Sequence, residues 1–288
     1  MRKELRPGRQ AVWIAAALCV LAPLRLAAAA PTAPTAVPAF AYADLADLAD
    51  SARLVVRAQV SKQVRVEPGR ASGVRPGWGR FYFEARTMAL LAGEGVIGES
   101  VHYLGDLPLD AKGKPLSLSK KQVLLFAADA LAGPPGKVSE LRLVAPDAQV
   151  IWDSLSETRL RAILTELLAP GVPPRIAGVR EVINVAGELA GQSETQIFLS
   201  AGESGAAALS VTRRPGQPPS WGVSFSEVAE GGKPPPRDTL RWYRLACFLP
   251  RDLPRGTNLS DSPQEKEQAE ADYRLILADL GSCPRMRR

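Results

Sequence analysis

The sequence predicts an α+β fold: a β-rich, barrel-like (OB-like) N-terminal module, followed by an antiparallel-sheet module with a C-terminal helix. Two observations predict this class. Short segments of alternating or β-branched residues recur along the chain, and clusters of glycine and proline separate most of them. Many short strands joined by turns are typical of a small barrel or sandwich. Strands are expected at residues 54–60, 64–67, 81–91, 100–104, 122–128, 141–144, 149–152, 182–186, 195–200, 207–213, 221–228 and 240–249.

The first helix is expected at residues 42–52, where Leu45 and Leu48 fall on one face. A three-residue repeat places acidic side chains at regular intervals in the same segment. We interpret these side chains as a solvated face and not as a metal-ligand set: Asp44, Asp47 and Asp50.

Two further helices have recognisable start and stop signals. Ser154 and Glu157 have the spacing of a capping box, which predicts that a helix begins at Ser154. A terminal helix is expected over residues 263–280, with Ser262 as N-cap and Gly281 as the stop signal. Its expected buried stripe consists of Ala269, Tyr273, Ile276, Leu277 and Leu280.

Residues 1–29 have the parts of a secretory signal: a basic start, twelve apolar residues at 11–22, and small residues before a cleavage site after Ala29. The apolar run is shorter than the ~20 residues that span a bilayer, which favours cleavage over an uncleaved anchor. We therefore expect a periplasmic or secreted protein with no stable membrane insertion after cleavage. Residues 30–41 are expected to be a disordered Pro/Ala spacer.

The length that remains after cleavage suits two domains, which we place at residues 42–152 and 153–288. Cleavage removes Cys19 and leaves two cysteines, Cys247 and Cys283. An even number of cysteines in an oxidising compartment predicts a disulfide, with two buried free thiols as the alternative.

The net charge does not indicate a nucleic-acid partner. The whole chain has 36 Lys+Arg and 30 Asp+Glu, and residues 1–29 contain five of the basic residues and one of the acidic residues. The rest of the chain therefore has 31 basic and 29 acidic residues, a net charge of about +2. Nucleic-acid binding requires basic residues gathered on one face. The basic C-terminus (Arg285, Arg287 and Arg288) is expected to be a solvated tail.

Three patterns could indicate catalysis or a cofactor. The glycines at 93, 95 and 98 match a dinucleotide-binding fingerprint, but a strand is expected next, whereas a nucleotide site requires a helix. His102 is the sole histidine and is expected to be half-buried and hydrogen-bonded. With the cysteines paired, the sequence predicts no cofactor, no metal site and no nucleophile-based catalytic set. Asp106 and Asp110 leave open a carboxylate-dependent hydrolase.

Two segments could bind a ligand. Trp78 and Arg80 lie in a glycine-rich loop and could form a stacking platform for a sugar or peptide, or the indole could fold back over the barrel. In the expected strand at 240–249, Trp242 and Arg244 share a face, which could be a contact surface, or Arg244 could pair with a neighbouring acid.

The chain resembles known families in two ways. The segments ARLVVRAQV (52–60) and VLLFA (123–127), with the helix before them and the Gly-rich turn between them, resemble the OB-like barrel of netrin and metalloproteinase-inhibitor domains over residues 42–130. Those inhibitors depend on an N-terminal cysteine and several disulfides, and residues 42–130 contain no cysteine, so the resemblance implies the fold and not inhibition. The whole chain, including TLRWYRLACFLP (239–250), is similar to exported proteins of sphingomonad-type bacteria.

Together these patterns favour a non-catalytic binding or interaction protein of the cell envelope with an unknown envelope or extracellular partner. The alternative is a carboxylate-dependent hydrolase that acts on an envelope polymer.

Overall fold

The structure is a computed structural model that describes residues 40–94, 96–132, 138–202, 205–225 and 233–287. The predicted signal peptide and residues 30–39 of the predicted spacer lie outside the described residues. The helices and strands of the first half are α1 (Tyr42–Ser51), β1 (Leu54–Arg65), β2 (Trp78–Ala92), β3 (Ser100–Pro108), β4 (Gln122–Ala132), β5 (Val138–Leu143), β6 (Gln149–Ile151) and α2 (Ser154–Leu168).

The first five strands close into a barrel, which confirms the predicted barrel. Their order is β1-β2-β3-β5-β4, and β4 pairs again with β1, so the sheet closes on itself. Only the β3–β5 pair is parallel among these neighbours. The separate strand expected at 64–67 was wrong, because β1 runs unbroken to Arg65 and accommodates its curvature with register shifts.

The barrel interior is filled by alternate side chains of its strands. On β3, Val101 and Tyr103 are buried and His102 lies on the opposite face, as the alternation predicted. The ring of Tyr103 stacks on Phe83 of β2 with centroids 4.9 Å apart. The barrel is therefore packed with side chains of its own strands.

Gly105 on β3 allows a close approach inside the barrel. A Cβ atom at this position would lie 2.6 Å from Nε2 of Gln149 and 3.3 Å from the Phe83 ring. We expect Gly105→Ala to lower the free energy of unfolding by about 1–3 kcal/mol, because overpacking displaces buried neighbours. Denaturant titration measures this, with Gly69→Ala as control, since a Cβ at Gly69 meets no atom within 4 Å. Equal stability of the two variants would contradict the prediction.

A second sheet follows α2, in the order β10-β9-β8-β7, and all of its neighbouring strands are antiparallel. The free edge of β7 is covered by a later segment, since Val182 exchanges backbone hydrogen bonds of 2.8 Å with Thr257 and Leu259. The predicted antiparallel sheet is thus confirmed. Its strands are β7 (Ile176–Ala186), β8 (Ser193–Ala201), β9 (Gly205–Arg213) and β10 (Ser220–Ser224).

The strand expected at 240–249 was wrong, because this segment forms a short helix, α3 (Leu240–Ala246). Thr239 is its N-cap, and its side-chain oxygen accepts a hydrogen bond from the backbone of Trp242. Five of the seven side chains are buried, so the segment has no continuous polar face from which a helical period could be recognised.

The last helix, α4 (Pro263–Leu280), is confirmed. Ser262 and Glu265 form a capping box, and Gly281 follows the last turn with φ 68°. For α2 the predicted cap was wrong by one residue. Asp153 is the N-cap and accepts from the backbone of Ser156, while Glu157 instead accepts hydrogen bonds from side chains, including that of Arg161.

The predicted disulfide is confirmed: Cys247 and Cys283 are bonded, with Cα atoms 5.1 Å apart. It joins the end of α3 to the segment just after α4, and not to a strand as expected. The larger hydrophobic cluster contains buried residues of α1, β4, α2, the second sheet, α3 and α4. The α+β class is therefore confirmed, while the domain boundary at 152/153 stays a prediction.

Candidate binding surface at one end of the barrel

Two loops lie side by side at one end of the barrel: residues 66–77 between β1 and β2, and residues 109–121 between β3 and β4. The backbone N–H of Leu109 donates to the carbonyl of Gly77 at 2.8 Å. The side chain of Arg65 donates to the carbonyl of Gly113 at 3.3 Å. Asp110 accepts from the backbone N–H groups of Lys112 and Lys114, which fixes the second loop.

Trp78 is half-buried at the start of β2, and Arg75 lies over its ring, with the guanidinium carbon 4.1 Å from the ring centroid. A turn brings them together: the N–H of Trp78 donates to the carbonyl of Arg75, and Gly77 between them has φ 77°. One face of the indole is thus covered by a cation. The aromatic ring thereby supports the guanidinium of Arg75, while the predicted stacking platform for a ligand stays a prediction.

Arg80 holds this loop in place through hydrogen bonds. Its guanidinium makes two hydrogen bonds to the buried carboxylate of Asp106, at 2.8 and 3.0 Å, and donates to the carbonyl of Ser72. The hydrogen bond to Asp106 raises the pKa of Arg80 above its ordinary value. Because both partners are engaged with each other, Arg80 positions the loop, and Trp78 with Arg75 forms its exposed part.

Asp147, in the turn after β5, connects the loop to the C-terminal tail. Its carboxylate accepts from Arg75 at 3.1 Å and from Arg287 at 2.7 Å. Burial alone would raise the pKa of Asp147, but the hydrogen bond from Arg287 and the nearby guanidinium charges hold it below its ordinary value. Asp147 is therefore an ionised anchor shared by two arginines.

The two loops and the end of β1 present a positive surface, which we call the barrel-end surface. Seven cations are exposed on it, against the two acidic residues Glu67 and Asp110, which gives a formal charge of +5. The cations are Arg65, Arg70, Arg75, Lys112, Lys114, Lys120 and Lys121.

Trp242 and Arg244 are buried in α3 and do not join this surface. The indole N–H of Trp242 donates to the carbonyl of Leu280 at 2.9 Å. Arg244 makes two hydrogen bonds of 2.8 Å to Asp50, the alternative that the sequence left open. Their expected shared face does not exist, because α3 is a helix, and the candidate site is built without them.

The α1 aspartates do not form a solvated face, and Arg285 and Arg287 are paired instead of freely solvated, so both of these expectations were wrong for these residues; Arg288 lies outside the described residues. Asp44 is buried and accepts from backbone N–H groups of the tail. Asp47 accepts from Arg285 and from the hydroxyl of Tyr243, and Asp50 binds Arg244. The α1 carboxylates are therefore used for long-range contacts.

The other candidate chemical groups have structural roles. Asp106 is held by Arg80 and Asp110 by its own loop. His102 is half-buried, with Nδ1 2.9 Å from the hydroxyl of Tyr82, as expected. β3 begins two residues after Gly98, as the turn interpretation requires, although Gly95 lies outside the described residues.

Within the described part of the chain, no three His, Cys, Asp or Glu side chains are grouped as a metal site would require. Among the described helices, none is long and apolar enough to cross a membrane. The chain matches no protein-family model, and no curated protein is significantly similar to it.

Sequence reasoning found Trp78 and Arg80 but missed three partners: Arg75, Asp147 and Arg287. Arg75 could have been included from its spacing, since a Pro-Gly turn separates it from Trp78. Asp147 and Arg287 are brought to the loop only by the fold, and no local pattern identifies them.

Proposed function

We propose that this chain is an exported, non-catalytic binding protein of the cell envelope, and that its barrel-end surface binds an acidic polysaccharide. The observation that carries the proposal is the exposed guanidinium of Arg75, which Trp78 and Asp147 hold among six further exposed cations. A planar guanidinium suits carboxylate groups because it can donate two parallel hydrogen bonds. Neighbouring cations suit a polymer whose negative charges repeat.

The barrel supports an OB-like assignment, which we include in the proposal. The closed order β1-β2-β3-β5-β4, with one parallel pair, is that of a five-stranded Greek-key barrel. OB-fold proteins bind oligonucleotides and oligosaccharides with one barrel face and the adjoining loops, including the loop between strands 1 and 2. In this chain that loop contains Arg70 and Arg75.

Export is supported by two features. Residues 1–29 have the pattern of a secretory signal. The Cys247–Cys283 disulfide suits an oxidising compartment. A location in the envelope favours a polysaccharide over nucleic acid as the anionic partner.

A carboxylate-dependent hydrolase is the less supported function. It needs two carboxyl groups that converge on a substrate at a defined separation. Asp106 is buried and bound to Arg80, and Asp110 accepts from backbone N–H groups of its own loop. Neither carboxylate is placed for proton transfer to a bound sugar, so we propose binding without hydrolysis.

Calorimetric titration with polygalacturonate oligosaccharides tests the proposal. We expect saturable binding at low ionic strength that weakens as salt is added, because exposed charges are screened. Arg75→Glu should weaken binding at least tenfold, since it removes the supported cation and adds a negative charge.

Arg86→Glu is the matched control. Arg86 is also exposed and lies on β2, the strand that begins at Trp78. It is eight residues beyond Trp78, which places it about 26 Å from Trp78 along the strand. This control should change affinity less than threefold. Equal losses in both variants would show that only the overall charge matters, and absence of saturable binding, or cleavage of the oligosaccharide, would contradict the proposed function.

A further inference from the structure

The C-terminal tail, residues 284–287, lies against side chains that bind both its backbone and its arginines. We call this surface the tail groove and define it by Asp44 and Asp47 of α1, Asp147, and Phe248 after α3. These residues come from three separate parts of the chain, and each of them contacts the tail. The tail's own bonds show which chemistry the groove selects.

Asp44 recognises the backbone of the tail. Its carboxylate accepts the N–H of Met286 at 2.9 Å and the N–H of Arg287 at 3.0 Å. Its side chain is almost fully buried beneath the tail, at 1% exposure. Because two consecutive N–H groups donate to one carboxylate, this contact does not depend on which side chains the peptide has.

Asp47 and Asp147 recognise the two arginines of the tail. Arg285 donates to Asp47 at 2.7 Å and lies over the ring of Phe248, 5.6 Å from its centroid. Arg287 donates to Asp147 at 2.7 Å. Met286 between them remains 56% exposed. These contacts therefore hold arginine at alternate positions and leave the side chain between them exposed.

The side chains of the tail are held by polar contacts and not by an apolar anchor. Its two ion pairs are partly exposed, with side-chain exposures of 35% for Arg285 and 21% for Arg287. Ion pairs of this kind contribute little to stability and weaken with salt. Met286, the apolar side chain at the centre of the tail, is turned to solvent instead of anchoring it. The tail can thus leave the groove without disrupting a hydrophobic core.

We propose that the tail groove is a binding site for an Arg-x-Arg segment of a partner protein, and that the chain's own tail occupies it in the absence of that partner. The partner is a protein with a basic, accessible segment whose backbone N–H groups are free to donate. Charge complementarity between three carboxylates and two arginines sets the specificity. Covalent attachment gives the tail a high local concentration, so a partner must displace it.

NMR titration of the full-length mature chain tests this, with the peptide acetyl-PRMR-amide as the probe. In Arg285→Glu/Arg287→Glu, like charges face Asp47 and Asp147 and expel the tail. We expect the peptide to bind this variant at least tenfold more tightly than it binds the unsubstituted chain, with shifts confined to α1, the turn at residues 145–147 and Phe248. Should this variant lose its dispersed spectrum, Arg285→Gln/Arg287→Gln serves the same purpose.

Two controls make the result decisive. The peptide acetyl-PEME-amide should not bind, and adding Asp47→Asn/Asp147→Asn to the variant should weaken PRMR binding at least tenfold. The proposal is overturned if PRMR shows no saturable binding to the opened groove, if PEME binds equally well, or if the shifts fall elsewhere. Any of these results would mean that the tail contacts stabilise the fold and are not a binding site for a partner.

Discussion

Replacing Asp50 with alanine is expected to lower the free energy of unfolding by about 3–5 kcal/mol, because it leaves a buried guanidinium without its counter-charge. The side chain of Arg244 is only 3% exposed, and it makes two hydrogen bonds of 2.8 Å to Asp50. After the substitution it keeps the hydrogen bond to the carbonyl of Pro173 at 3.2 Å. A neutral acceptor does not compensate a buried positive charge.

Removing Arg244 instead of Asp50 should lower the free energy of unfolding less. The difference between the two variants then identifies the unpaired buried charge as the cause of the loss. In Arg244→Met, Asp50 keeps the hydrogen bond from Arg175, at 2.7 Å, and its side chain is already 13% exposed. The carboxylate therefore stays paired, and the methionine preserves much of the buried volume. The exposed Lys62 pair with Glu84 serves as a control, and Glu84→Ala should change stability by no more than about 1 kcal/mol.

Urea titrations at several pH values measure these effects. Burial alone would raise the pKa of Asp50, but the hydrogen bonds from Arg244 and Arg175 hold it below its ordinary value of 3.8. A carboxyl group with a lowered pKa contributes stability above that value and loses it as pH falls through the folded-state pKa. The difference in the free energy of unfolding between the unsubstituted chain and Asp50→Ala should therefore be largest at pH 7 and shrink below pH 3.8. A gap under 1 kcal/mol at pH 7 would refute the buried-pair explanation.

The sequence predicted elements whose signals are local. The terminal helix was placed at its correct ends because Ser262, Pro263 and Gly281 each mark a helix boundary through backbone chemistry. The barrel strands were found because buried and exposed residues alternate on them, as on β3. The disulfide could be predicted because only two cysteines follow the expected cleavage site.

The misassigned elements depend on partners that are distant in sequence. Asp44 binds the N–H of Arg287, which is 243 positions away, so no local pattern distinguishes it from a solvated aspartate. The same holds for Arg244, which looks like a surface cation until Asp50, 194 positions earlier, is placed beside it. Helix α3 was mistaken for a strand because five of its seven side chains are buried, which leaves no continuous polar face from which the helical period could be recognised.

The candidate site was predicted in part for the same reason. Trp78 and Arg80 lie two residues apart at the start of β2, and their residue types alone suggested a binding surface. Their roles were not evident, because Arg80 is paired with Asp106, and Asp147 accepts hydrogen bonds from both Arg75 and Arg287 of the tail. The arrangement of this surface therefore depends on pairings that the fold creates.

The free energy of unfolding of the Cys247→Ser/Cys283→Ser double variant is expected to be about 4 kcal/mol lower than that of the unsubstituted chain. The bond closes a loop between residues 36 positions apart, and the chain-entropy treatment assigns about 4 kcal/mol to a loop of that size. Removing both sulfurs avoids leaving one unpaired thiol. Reduction of the unsubstituted chain should give the same loss, which separates the bond itself from the substitutions.

The unfolding of this double variant also tests the predicted boundary between residues 152 and 153. α3 and α4 belong to the same hydrophobic cluster as α1 and β4, whereas the barrel interior forms a cluster of its own. Hydrogen exchange in mild denaturant can follow barrel amides such as that of Tyr103 separately from those of Ile197 in the second sheet. If the boundary is real, the barrel amides stay protected in the double variant while the second sheet exchanges. If both sets exchange together, the chain unfolds as one unit, because the larger cluster couples α1 and β4 to the helices that the disulfide joins. A loss of stability below 1 kcal/mol, or two titratable thiols in the native protein, would contradict the role assigned to the bond.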